Sequence, residues 1–263
     1  MTIRLYDLAA AEDDRRFSPY CWRVRLALAH KGLDVETVPW RLSEKDAIAF
    51  SGQGSVPVLV DGESVVHDSW AIADYLDETY PQRPLFACEQ ARAAGLFIKH
   101  WTEQVLQPAV LRVIVHDVLV HLHEKDKAYY RETRERRLGA RIEDIAADRA
   151  ANFERLDSAL TILRSTLAVN PYVGGGEPNF ADHIVFGAFQ WARVCSDIPL
   201  VELHDPVSEW PQRMLDASDG LAAKAIACSA YRDAVAVPAT CLSRLSGGPP
   251  PARCRAAAFS GGA

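Results

Sequence analysis

The chain has 263 residues with a formal net charge of -6, 24% charged and 49% hydrophobic residues. That length can bury a sizeable core and accommodates two modest domains, while the acidic balance excludes a broad basic surface for nucleic acid or anionic membrane. The six cysteines (Cys21, Cys88, Cys195, Cys228, Cys241 and Cys254) form no Cys-x-x-Cys pair, so neither a zinc site nor a disulfide framework is expected.

In chain order, Ile3-Arg-Leu-Tyr-Asp-Leu8 alternates like a strand and lacks the basic and apolar regions of a secretory leader. No apolar run approaches the roughly 20 residues that span a bilayer, and a reducing cytoplasm is the expected location. After a polar connection over Ala9 to Phe17 comes Ser18-Pro-Tyr-Cys-Trp-Arg-Val-Arg-Leu-Ala-Leu-Ala-His-Lys-Gly32, the stretch around which the rest is organised. Ser18 predicts an N-cap, Pro19 suits the first helical position and Gly32 supplies the stop. The amides and dipole of such a first turn favour a thiolate, carboxylate or phosphate, and a cap hydroxyl can donate to the same anion.

Val35-Glu-Thr-Val-Pro-Trp40 reads as a second strand, giving a right-handed strand-helix-strand crossover and a parallel pair. Arg41 to Ser55 is polar and is expected to wrap the surface. Val56 to Val60 and Ser64 to His67 then flank Asp61-Gly62, a hairpin signal. Pro57 inside the first of these strands argues for an edge position or a cis bond. Asp68-Ser69 predicts the cap of a second helix ending before Pro81.

From Gln90 onward the periodicity is helical, with one long pattern to Arg137 that Pro108 breaks or kinks, and another over Ile142 to Leu167. The charge-dense run from Glu124 to Arg155 reads as a solvated helical face. Asn179-Phe-Ala-Asp182 is a variant capping box opening an apolar helix over Phe180 to Val194, and a further helix is expected over Ser208 to Ala217. These patterns place an α/β unit at residues 1–85, an all-helical unit at 90–235 and a disordered Gly-, Pro- and Ala-rich tail at 236–263.

Four motifs together resemble the cytosolic glutathione transferases. They are Ser18-Pro with Trp22-Arg-x-x-x-Ala-Leu-x-x-Lys-Gly32, Val56-Pro-Val, Asp68-Ser-Trp-x-Ile-Ala-x-Tyr-Leu-Asp-Glu-x-Tyr-Pro81, and Pro178-Asn-Phe-Ala-Asp182. The resemblance covers residues 3 to about 225 and is greatest to the bacterial β-etherase group and its fungal etherase-like relatives. Cys21-Trp-Arg-Val-Arg25 is also similar to the zeta class, which includes maleylacetoacetate isomerases.

The resemblance implies a thioredoxin-like N-terminal domain that binds glutathione as co-substrate and an all-α C-terminal domain that lines the site for a hydrophobic aromatic molecule. It implies a homodimer. Ser18 matches the catalytic serine. Val56, before Pro57, matches the residue whose backbone pairs with the cysteinyl part of glutathione. Asp68 and Ser69 match the pair holding its γ-glutamyl end, and Asp182 matches a structural cap. The expected chemistry is thiolate attack on an electrophilic carbon, with β-aryl ether cleavage as the etherase form.

Physical chemistry supports that assignment independently. A free thiol with a pKa of about 8.5 is only a few per cent thiolate at neutral pH, and a hydrogen bond plus a helix N-terminus lowers that value. Cys21 stands where a redox Cys-x-x-Cys motif has its second cysteine, the first position being Ser18, so it is a redox or packing residue. Trp101 is a core or pocket residue. His116, His121 and His123 carry no recognised ligand spacing, and no metal is expected. The alternatives left open are a zeta-like isomerase, a thiol-disulfide oxidoreductase, and a non-catalytic carrier of hydrophobic ligands.

Overall fold

The computed structural model describes residues 2–202 and 204–229. Strand β1 (Ile3–Leu8) leads through a loop to helix α1 (Pro19–Lys31), which crosses over to β2 (Val35–Trp40). The two strands pair in parallel, Ile3 opposite Val35 through Leu8 opposite Trp40, as the crossover requires. A 3-10 turn (Lys45–Ser51) follows, then β3 (Val58–Asp61), β4 (Ser64–His67) and α2 (Ser69–Thr79). The sheet order is β2-β1-β3-β4, with β3 antiparallel to both β1 and β4. This small mixed sheet with its helices is a thioredoxin-like domain.

The second domain is all helical: α3 (Glu89–Trp101), a π-helical turn (Thr102–Leu106), α4 (Gln107–His121), α5 (Glu124–Leu138), α6 (Ile142–Ala147), α7 (Arg149–Leu167), α8 (Phe180–Cys195) and α9 (Glu209–Gly220). Every residue of α8 is buried, which fits a helix with apolar residues all round. It packs along α1, and together they form the spine of the molecule. At their closest approach Gly187 faces the Pro19 carbonyl, from which a Cβ at position 187 would stand only 2.5 Å. One core gathers Trp22 and Leu26 with α4, α7 and α8; another gathers Leu5, Leu28, Leu59 and Ile72 with Phe180 and Ile184.

Several sequence readings are refined. The Val56–Pro57 bond is cis and immediately precedes β3, an interior strand, so the edge alternative falls away. The hairpin turns on Gly62-Glu63, one residue later than Asp61-Gly62, because Asp61 still pairs with Ser64 and Gly62 takes a positive φ of 60°. The long helical pattern from Gln90 divides at a π turn just ahead of Pro108, which therefore sits in a first turn where its missing N–H is tolerated. It divides again at Leu122-His123, where His123 caps α5.

The second pattern breaks at Asp148, and the regular turns of α9 stop at Ala217. The charged run is not wholly solvated, since Asp126 and Tyr130 of α5 are buried. The Asp126 carboxylate accepts from the amides of Leu42 and Ser43 at 3.2 and 2.8 Å, tying α5 to the loop after β2. The tail expected at 236–263 lies outside the described residues, as does the end of the helical unit beyond 229.

Candidate active site

Ser18 is the N-cap of α1, with extended backbone (φ -67°, ψ 123°) and an Oγ that accepts from the Cys21 amide at 3.3 Å. Its acceptor role is thereby used locally, which leaves the hydroxyl proton to donate outward. The side chain is 4% exposed, and it opens onto a cavity of about 110 Å³ at the junction of the two domains. Leu8, Phe17 and Leu111 supply apolar wall; Tyr130, Arg134 and Arg137 come from α5, Gln107 from the start of α4 and Trp191 from α8.

The polar lining of that cavity is rich in donors. Gln107 Nε2 and Trp191 Nε1 are buried and have no hydrogen-bond partner among the described residues. The Arg134 guanidinium lies over the Tyr130 ring, 4.7 Å from its centroid, and donates to Thr133 Oγ1 at 3.0 Å. Tyr130 donates to the Val115 carbonyl at 3.3 Å, and burial pushes its phenol above the ordinary range. The site is therefore electropositive around an apolar floor, as a thiolate or a developing oxyanion requires.

A second polar centre lies at the start of α2 and is joined to α1 through Arg23. Asp68 caps α2 from a positive φ of 69°, accepting from the Trp70 and Ala71 amides at 2.9 and 3.1 Å. Ser69, 2% exposed, accepts from Arg23 Nη1 at 3.5 Å. Arg23 is fully buried in α1, pairs with Glu103 of the π turn at 2.7 Å and lies 4.7 Å from the centre of the Tyr20 ring. Lys99 reaches Glu103 from the other side at 3.1 Å. One arginine thus joins the helix headed by Ser18, the N-terminus of α2 and the helical domain.

The remaining candidates sit as follows. Cys21, in the first turn of α1, is completely buried, and its thiol is pushed well up by burial and by the nearby Asp7 carboxylate. Asp7 is itself buried between Arg16 and Arg25, at 3.7 and 3.6 Å. Trp101 ends α3 half-buried against the helical core and does not line the Ser18 cavity. His121 lies near Cys228, His123 caps α5 and His116 stands beside Asp117, and the described residues form no metal-holding cluster of His, Cys, Asp or Glu. Asp182 accepts from four donors and serves the fold.

Sequence reasoning missed Tyr130, Arg134 and Arg137, although their i, i+4, i+7 spacing does mark one face of α5. Gln107 and Trp191 carry no motif of their own, and a helical period cannot tell a cavity wall from a packed core.

The glutathione S-transferase N-terminal domain family matches residues 14–84 and the C-terminal domain family matches residues 93–210. The chain is 50% identical over 68 residues to glutathione S-transferase Z1 of Arabidopsis thaliana, covering 24% of this chain and 31% of that protein. It is 35% identical over 92 residues to a probable glutathione transferase of Aplysia californica, covering 34% of this chain and 100% of that sequence. The first of these is typical: the chain spans about a third of the length of the leading curated relatives. Among solved structures, glutathione transferase GSTFuA3 of Phanerochaete chrysosporium superposes with a TM-score of 0.73 at 26% identity, covering 81% of this chain and 96% of that one. No helix among the described residues is long and apolar enough to cross a membrane. With both domain families matched in sequence and in order, the chain belongs to the glutathione transferase family.

Proposed function

We propose that the protein is a glutathione transferase in which Ser18 holds the glutathione thiolate for attack on hydrophobic aromatic electrophiles, with β-aryl ether cleavage as its etherase-like form. The observation that carries this reading is the Ser18 hydroxyl, its acceptor side already engaged by the Cys21 amide, facing a donor-rich cavity at a helix N-terminus. Val56 and Pro57 would align the cysteinyl backbone. Asp68 and Ser69 would hold the γ-glutamyl end, with Arg23 fixing the Ser69 side chain.

In the reaction, the thiolate sulfur supplies the electron pair of the new C–S bond, and the bond to the departing group breaks with its pair going to that group. Ser18 stabilises the anion before attack and releases it as charge moves away. The apolar walls exclude water, which strengthens every electrostatic contact inside.

The test is an ultraviolet pH titration of bound glutathione. A thiol pKa well below that of free glutathione in the wild type, raised by Ser18→Ala, supports the reading. Equal values in the two proteins, or no binding by the wild type, overturn it.

A second reading is a zeta-like glutathione-dependent isomerase, favoured by the Cys21-Trp-Arg-Val-Arg25 motif and the Arabidopsis Z1 match. Turnover of maleylacetone without aryl ether cleavage would select it. Thiol-disulfide exchange through Cys21 is disfavoured by its burial, because reactive cysteines are accessible and have lowered pKa values. The homodimer is part of this proposal, supported by the exposed Leu96, Phe97 and Val105 on α3 and the π turn. The free Cys21, Cys88, Cys195 and Cys228 suit a reducing cytoplasm.

A further inference from the structure

Two of the polar atoms around the Ser18 cavity have no partner among the described residues. Gln107 Nε2 and Trp191 Nε1 are each buried from solvent and lack an acceptor among the described residues, and their side chains line the same cavity from two different helices. A buried donor without an acceptor is costly, and native proteins keep few of them. An indole can only donate, and the amide presents its N–H₂ end as the unsatisfied one. Arg134 and Arg137 on the same wall add positive potential. Phe17, Leu8 and Leu111 make the neighbouring wall apolar.

We infer that Gln107 and Trp191 form a two-donor seat for an oxygen atom of the second substrate, the oxygen that becomes negative as the thiolate attacks. The inference rests on the proposed thiolate chemistry at Ser18 and specifies the substrate class: an electrophile with an oxygen conjugated or bonded to the attacked carbon. In an aryl ether, the sulfur pair forms the C–S bond and the C–O pair departs with the aryl oxygen as a phenolate. In a conjugated ketone, the sulfur pair forms the C–S bond and the displaced π pair reaches the carbonyl oxygen as an enolate. Either oxyanion takes its proton from water on release. Donors aimed at an oxygen stabilise the transition state more than the ground state, since charge on that oxygen grows only during attack.

The experiment compares wild type, Trp191→Phe and Gln107→Met on three electrophiles with glutathione: a β-aryloxy ketone, a conjugated enone, and benzyl chloride, whose developing charge falls on chloride. The readout is the ratio of kcat/KM for each oxygen electrophile to that for benzyl chloride. We expect this ratio to fall about a hundredfold in either variant, the lower end of the loss typical of one oxyanion donor. An unchanged ratio overturns the inference, whether the absolute rates hold or fall together.

A second readout needs no glutathione. The indole N–H resonance of Trp191, assigned by its loss in Trp191→Phe, should shift downfield on titration with 4-nitrophenolate and fail to shift with nitrobenzene. No shift with the phenolate overturns the seat. If the wild type turns over none of the three electrophiles, the transferase reading falls, while the indole titration still decides the oxygen seat.

Discussion

The N-termini of α1 and α8 use the same sequence device to opposite ends. Each begins with a polar N-cap side chain that bonds the first turn, Ser18 to the Cys21 amide and Asn179 to the Ala181 amide. At α8 the device is then closed. Asp182 accepts from the amides of Val173, Gly174 and Asn179 at 2.8, 3.0 and 3.2 Å and from Trp210 Nε1 at 2.8 Å, so every carboxylate lone pair faces the protein. At α1 the first helical residue is a proline, which has no N–H to cap, and the Ser18 hydroxyl lines a cavity. A helix start becomes a ligand site when the surrounding chain leaves its donors open, and a folding anchor when it saturates them.

The comparison is most sharply tested at Asp182. Asp182→Ala strands four donors and should cost about 3–4 kcal/mol of stability, since bonds to a charged acceptor are the strong ones. Denaturant unfolding checks this, and glutathione binding by the folded fraction should persist.

Gly187 is where the two helices meet. Gly187→Ala places a methyl 2.5 Å from the Pro19 carbonyl, so α1 must move. We expect about 2 kcal/mol of destabilisation from overpacking, with a larger fall in kcat than the stability loss explains because Pro19 carries Ser18 with it.

His183, one turn into α8, gives a pH signature. It is fully buried beside His30, and burial lowers its pKa to about 3 from the ordinary 6.5. A histidine with a depressed folded pKa stays neutral in the native state while the unfolded chain takes up a proton, so its contribution is lost as pH falls below 6.5. The expected loss is about 1.4 kcal/mol between pH 7.5 and 5.5. Urea midpoints across that range should fall less steeply in His183→Leu.

Ser18→Ala should reverse the balance seen at Asp182. It removes one cap, about 1 kcal/mol, yet raises the bound thiol pKa by about one unit or more and abolishes most turnover. Parity of the two variants in both readouts would erase the distinction between open and closed helix starts. Smallest of all, Cys21→Ala should change turnover less than about twofold, because its buried thiol, raised beside Asp7, stays protonated and takes no part in the attack.

Much of this was legible in the sequence because it is local. Ser18, Pro19 and Gly32 bound α1; Asp68 and Asn179 cap their helices as their side chains require. The strand-helix-strand order permits one hand of crossover, and the paired Val56-Pro57 and Asp68-Ser69 motifs, read with Ser18, pointed to the family. The break at Leu122-His123 was not legible, since neither proline nor glycine marks it and the turn is set by α5 docking through Asp126 onto the loop after β2.

Local residue patterns were enough for the helix caps, the βαβ order, the change from strand to helical period near residue 85 and the candidate Ser18. Which helix start stays open, and which donors surround it, depends on how distant helices pack. Gln107, Trp191, Tyr130 and Arg134 lie far from Ser18 along the chain, and their meeting depends on the close passage of α8 past Pro19 that Gly187 permits. Side-chain period reports which face a residue occupies, and it carries no information about what that face will meet.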